Sequence, residues 1–125
     1  VKKTKRPSLK RVANSFSLPI QTAVLVPSTT KKSRAISATM FKKRVNITRR
    51  FLSRLFGGYT SVQGVGGYTS GKRLIREKVA VVSAYAQRRI FLKNKKAWLA
   101  WVRAKKREWG QESMGIIIEN DLLYI

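Results

Sequence analysis

Residues Gly66 to Lys72 read Gly-Gly-Tyr-Thr-Ser-Gly-Lys and match the spacing G-x-x-x-x-G-K. In a phosphate-binding loop this spacing lets backbone amides and a lysine cradle phosphate oxygens. Such a loop needs a strand before it and a helix after it. Here the residues after Lys72 are β-branched and alternate, which is a strand pattern. Arg73 stands where Ser or Thr would hold magnesium, and no apolar run ends in an aspartate. Nucleotide hydrolysis is therefore not expected. The stretch reads instead as a helix stop, a bulged strand and a hairpin turn, with Lys72 and Arg73 left as phosphate contacts. Gly-Gly-Tyr-Thr-Ser occurs twice, at Gly57 to Ser61 and Gly66 to Ser70, and six of the eight glycines lie between Gly57 and Gly71.

Acid–base and metal chemistry find little support. The five acids are Glu77, Glu108, Glu112, Glu119 and Asp121. Glu119 and Asp121 sit close to a turn, but hard-cation sites gather more oxygen ligands than these two supply. Glu77 lies in a basic strand and is expected to pair with a neighbouring Lys or Arg. None forms an acid–base pair. The chain has no His and no Cys, which removes disulfides, the usual zinc sites and any Ser-His or Cys-His arrangement. The expectation is no catalytic residue, no metal, no cofactor and no enzymatic activity.

Charge then dominates. Lys and Arg number 28 against five acids, a formal net charge of +23. An excess of this size suits a polyanionic partner. The candidate nucleic-acid contacts are Lys2, Lys3, Lys5, Arg6, Lys10 and Arg11 near the N-terminus, and Lys31, Lys32 and Arg34 in a loop. Lys42, Lys43, Arg49 and Arg50 follow on a first helix, and Lys72, Arg73, Arg76 and Lys78 on a hairpin. Arg88, Arg89, Lys95, Lys96, Arg103, Lys106 and Arg107 lie on a second helix. Tyr59, Tyr68 and Tyr85 are candidate stacking rings near an open sheet face. The expected function is a nucleic-acid-binding accessory or structural protein that contacts the phosphate backbone with little sequence specificity. RNA or a ribonucleoprotein is favoured over DNA. The alternative is an assembly subunit docking on an acidic protein, and a metal-dependent nuclease ranks last. No apolar run approaches the length of about 20 residues that spans a membrane. No membrane insertion is expected, and the setting is intracellular or inside a particle.

The elements that carry these residues follow from periodicity. Residues 1–17 form a basic flexible tail without period, and residues 18–125 form a single domain. Ile20 to Val26 is a strand stopped by Pro27. Ser37 caps a helix over about residues 38–56, with Met40, Phe41, Val45, Thr48, Leu52 and Leu55 at helical spacing, closed by Gly57 and Gly58. Tyr59 to Tyr68 is an interrupted strand, Ser70-Gly71 a turn and Arg73 to Tyr85 a long strand. A second helix starts between Gln87 and Asn94 and ends near Gly110. Its Trp98 and Trp101 are expected in the core. Met114 to Glu119 is the next strand, and Leu122 to Ile125 a short last one.

This order is the ferredoxin-like βαββαβ pattern: an α+β fold with two helices on one face of an antiparallel sheet and a basic N-terminal tail. The segments Val26-Pro-Ser-Thr29, Phe51-Leu-Ser-Arg-Leu-Phe-Gly-Gly-Tyr-Thr60, Gly64-Val-Gly-Gly-Tyr68 and Trp109-Gly-Gln-Glu112 resemble a loose group of small microbial and phage-type ferredoxin-like proteins. The resemblance spans about residues 20–125 and implies a common fold, with no activity attached. The RNA-recognition domain shares the topology. Its Gly-Phe core is not matched by Lys78-Val-Ala-Val-Val-Ser-Ala-Tyr85, so no base-reading residue is carried over.

Overall fold

The computed structural model describes residues 15–31 and 34–125. Residues 1–14 of the expected tail, with Lys2, Lys3, Lys5, Arg6, Lys10 and Arg11, and also Lys32, lie outside the described residues. The chain runs β1 (Ile20–Pro27), β2 (Thr29–Thr30), β3 (Arg34–Ala35), α1 (Ala38–Phe56), β4 (Thr60–Ser70), β5 (Arg73–Ala86), α2 (Arg88–Glu108), β6 (Gly115–Ile118) and β7 (Asp121–Tyr124). The main sheet is antiparallel with order β4-β5-β1-β6-β7. The expected ferredoxin-like arrangement is therefore present. Two additions to it are the β7 edge strand and the short β2–β3 ribbon inserted between β1 and α1.

Both helices pack on one face of the sheet. On that face Ala80, Val82, Ala84 and Ala86 of β5 stand opposite Val26, Val24, Thr22 and Ile20 of β1, and all eight are buried. Small residues on β5 bring the helices close to the sheet. Phe41, Val45, Leu52 and Phe56 of α1 meet Phe91, Trp98 and Val102 of α2 in the same core. Trp98 is fully buried, with Phe56 and Phe91 edge-on to it at centroid distances of 6.1 and 6.4 Å. Trp101 is half-buried and stacks on Phe51 at 4.3 Å. The one buried hydroxyl inside β1, on Thr22, donates to the Ala84 carbonyl at 2.9 Å, so its burial leaves no lost hydrogen bond.

Helix ends follow the residues that can close them. Ser37 Oγ accepts from the Met40 amide, and Gly57 adopts φ +93° while its amide bonds Ser53 O at 2.8 Å. The end of α2 turns on Gly110 at φ +66°. There the amides of Gly110 and Gln111 donate to Arg107 O and Lys106 O. Asn94 Nδ2 donates to Leu55 O at 2.8 Å, so α2 takes up one of the free carbonyls in the last turn of α1.

The bulge expected in β4 is absent. Pairing with β5 runs without a skip from Thr60↔Ser83 to Ser70↔Arg73. The glycines of β4 keep the strand regular and strip side chains from it. The two Gly-Gly-Tyr-Thr-Ser copies differ in structure. The first spans the end of α1 and the start of β4, and the second lies at the far end of β4. Beyond Val79, β5 has no β1 partner, so the tip of the β4–β5 hairpin extends past the body of the sheet.

Candidate functional site

Antiparallel register places directly opposed residues on the same face. On the face away from the helices, β4 contributes Val62, Gly64, Gly66 and Tyr68 opposite Val81, Val79, Glu77 and Ile75 of β5. Gly64 and Gly66 put no side chain on this face. A methyl group at Gly66 would lie 2.9 Å from Val79 Cγ1, so the Val79 side chain takes up space that a side chain at Gly66 would need. Tyr68 is half exposed at one end, and the Glu77 carboxylate is the diagonal neighbour of its ring.

Glu77 is held from outside its own strand. Thr29 Oγ1 donates to Glu77 Oε2 at 3.1 Å, and the neighbouring Ser28 Oγ donates to Lys78 O at 2.7 Å. Thr29 is in turn fixed through its carbonyl. That oxygen accepts from Arg44 Nη1 and from Gln111 Nε2, both at 2.7 Å. Arg44 Nη1 also reaches Pro27 O at 2.8 Å, and Gln111 Nε2 reaches Trp109 O at 2.9 Å. The Arg44 guanidinium sits over the Trp109 ring, 5.1 Å from its centroid. Burial pushes Arg44 down from its ordinary pKa, and the charge of Glu108 opposes that shift. A chain of bonds thus runs from α1 and the end of α2 through Thr29 to Glu77.

The partner the structure gives Glu77 is the Thr29 hydroxyl, where the sequence pointed to a neighbouring Lys or Arg. Arg44 was not singled out in the sequence. Its position did carry a signal: it lies three residues after Phe41 and four before Thr48, on the buried stripe of α1. Arg44→Lys retains the charge and loses the planar guanidinium whose Nη1 donates to both carbonyls. It is expected to lower stability by about 1–3 kcal/mol, as leaving a buried polar group unsatisfied does. Urea denaturation measures this, and an unchanged midpoint would remove Arg44 from the network.

Of the other candidate residues, Arg49, Arg50 and Tyr59 come together beside α1, and the rest do not converge. Lys42, Lys43 and Arg50 are exposed on α1, and Arg49 is half-buried. Arg88, Arg89, Lys95, Lys96, Arg103 and Arg107 are exposed along α2, with Lys106 half-buried. Lys31 and Arg34 border the β2–β3 ribbon, and Lys72 and Arg73 occupy the hairpin tip. Arg76 and Lys78 fall on the helix side of β5, since they alternate with Glu77 and share a face with Ala80. They do not join Tyr68 and Tyr85 on the open face, as the sequence had suggested. Tyr59 precedes β4 and lies against Arg49, whose guanidinium carbon is 5.5 Å from the ring centroid. Among the described residues, no helix is long and apolar enough to cross a membrane.

No family model and no curated protein matches this chain. Two solved structures have a similar fold. One is a phage SAM lyase in complex with S-methyl-5'-thioadenosine, 14% identical, with a TM-score of 0.61 over 91% of this chain and 95% of that one. The other is a phage SAM lyase in the apo state, 18% identical, with a TM-score of 0.51 over 85% and 87% of the two chains. These neighbours correct three expectations: a nucleic-acid-binding accessory or structural role, its assembly-subunit alternative, and the absence of enzymatic activity. The fold is one that an S-adenosylmethionine-degrading enzyme uses. The physical source of the error is that net charge describes the surface field and does not by itself identify a function or a site.

Proposed function

We propose that this chain is a lyase that degrades S-adenosylmethionine and releases S-methyl-5'-thioadenosine. The supporting observation is the shared fold along nearly the full length of both chains with a lyase that holds that product. The open face of the sheet adds chemical sense. The substrate presents a sulfonium cation, and Glu77 is the one acid of the chain set in the sheet opposite a glycine. A fixed carboxylate attracts that cation, and the electron-rich face of the Tyr68 ring offers it a second contact.

The reaction asks little acid–base work of the protein. The carbon–sulfur bond breaks with its electron pair leaving on sulfur. The sulfonium becomes a neutral thioether that needs no proton. The carbon is satisfied from within the substrate, by attack of the substrate's own carboxylate oxygen as the carbon–sulfur bond breaks, which closes a lactone, so no proton moves and no water is consumed. A chain without His or Cys can do this. Its task is to hold the cation and the reacting carbon in one geometry. The intracellular setting belongs to the same proposal.

The test is direct. The purified chain is incubated with S-adenosylmethionine and the products are separated by liquid chromatography. S-methyl-5'-thioadenosine is expected to accumulate in proportion to protein and time, and not with heat-denatured chain. Intact substrate after prolonged incubation with folded protein overturns the reading.

A further inference from the structure

A cavity lies on the helix side of β4, away from the open face of the sheet. It occupies about 540 Å³ between α1 and the start of β4, and is lined by Asn46, Arg49, Arg50, Ser53, Arg54 and Tyr59. Three guanidiniums and no carboxylate face it. Helix α1 contains no acid anywhere along its length, so no counter-charge on that element balances them. The arrangement is partly fixed before any ligand arrives. Arg49 Nη1 donates to Asn46 Oδ1 at 3.1 Å and Nη2 to Ser61 Oγ at 3.3 Å, which holds the guanidinium against the Tyr59 ring. Arg49 Nε is buried and has no hydrogen-bond partner. A buried, charged N–H without an acceptor is a costly feature, and an anion beside it would remove that cost.

We propose that this cavity binds a phosphate monoester that carries a planar ring, of the size of a nucleoside monophosphate. Guanidinium forks match phosphate oxygens in pairs, and two or three of them suit a dianion. The cavity is larger than a phosphate ion needs and falls in the range of small-molecule sites, about 300–1,000 Å³. Its aromatic wall is Tyr59, already in cation–π contact with Arg49, and a second flat ring has a surface there on which to stack. The site is separate from Glu77. Ser61, which holds Arg49, points to the helix side of the sheet with Val82, whereas Glu77 lies on the other side. The proposal does not depend on the lyase reading.

Binding of adenosine 5'-monophosphate to the full chain is measured by calorimetry, with inorganic phosphate and adenosine as partial probes and excess S-methyl-5'-thioadenosine as competitor. Adenosine 5'-monophosphate is expected to bind more tightly than either partial probe and to stay bound in the presence of the competitor. Arg50→Gln with Arg54→Gln, both at exposed positions, is expected to weaken it by about tenfold or more, as loss of charge-assisted bonds does. Lys93→Gln with Lys96→Gln makes the same change in net charge on α2 and is expected to alter binding by less than about twofold. Tyr59→Leu is expected to erase the advantage of the nucleotide over inorganic phosphate. The proposal is overturned by equal losses in the two double variants, by displacement with the thioadenosine, or by adenosine binding as well as its phosphate.

Discussion

Glu77→Gln is expected to lower the turnover of S-adenosylmethionine by about 10²–10³-fold, the scale on which a single preorganised electrostatic group acts. The substitution retains the shape of the side chain and an oxygen that accepts from Thr29 Oγ1, so the hydrogen bond seen at 3.1 Å survives. What it removes is the negative charge. Unfolding in urea is therefore expected to shift by less than about 1 kcal/mol, because the side chain is only half-buried and its neighbour keeps a partner. The two readings together separate charge from structure. A variant with full activity would remove Glu77 from the site. A variant that loses activity and stability together would make it a structural residue.

The split between charge and shape also explains what the sequence could convey. Helix α1 was legible to the residue because its apolar stripe, its Ser37 cap and its Gly57 stop agree with one another. The sheet was legible in outline, since β1 and β5 are long and rich in β-branched residues. The β2–β3 ribbon was missed because two-residue strands have no period to detect. The glycines of β4 suggested a bulge, and they proved to be places where a regular strand lacks side chains. That difference matters for the proposed site, because a regular strand with a glycine opposite Glu77 and a distorted strand have the same composition. Tyr68 was noticed as a ring that could stack. Glu77 was passed over as an acid among bases. The neighbours that single it out, Thr29 and Gly66, are 48 and 11 residues away in sequence. A cross-strand register joins them, and composition does not reveal register.

Trp98→Ala is expected to be the most damaging single change to the fold, costing about 3–5 kcal/mol. Native domains have only about 5–15 kcal/mol in total, so this variant stands close to unfolding at room temperature. Trp98 is fully buried where α1, α2 and the sheet meet, and Phe56 and Phe91 lean on it edge-on from both helices. Removing the indole leaves a cavity that these rings, fixed by their own helices, cannot fill. The same residue contains an opposing effect. Its indole N–H is buried without a hydrogen-bond partner, so the native core already bears the cost of one orphaned donor. Trp98→Phe deletes that donor while retaining most of the packing, and its loss is expected to stay below about 2 kcal/mol. Thermal and urea unfolding of the two variants side by side measure both quantities. If phenylalanine costs as much as alanine, the indole N–H has a partner in solution and the core is wetter at that point than its packing indicates. If alanine costs no more than phenylalanine, the helices close over the gap, and α2 is less firmly anchored than its contacts with Phe56 and Phe91 require.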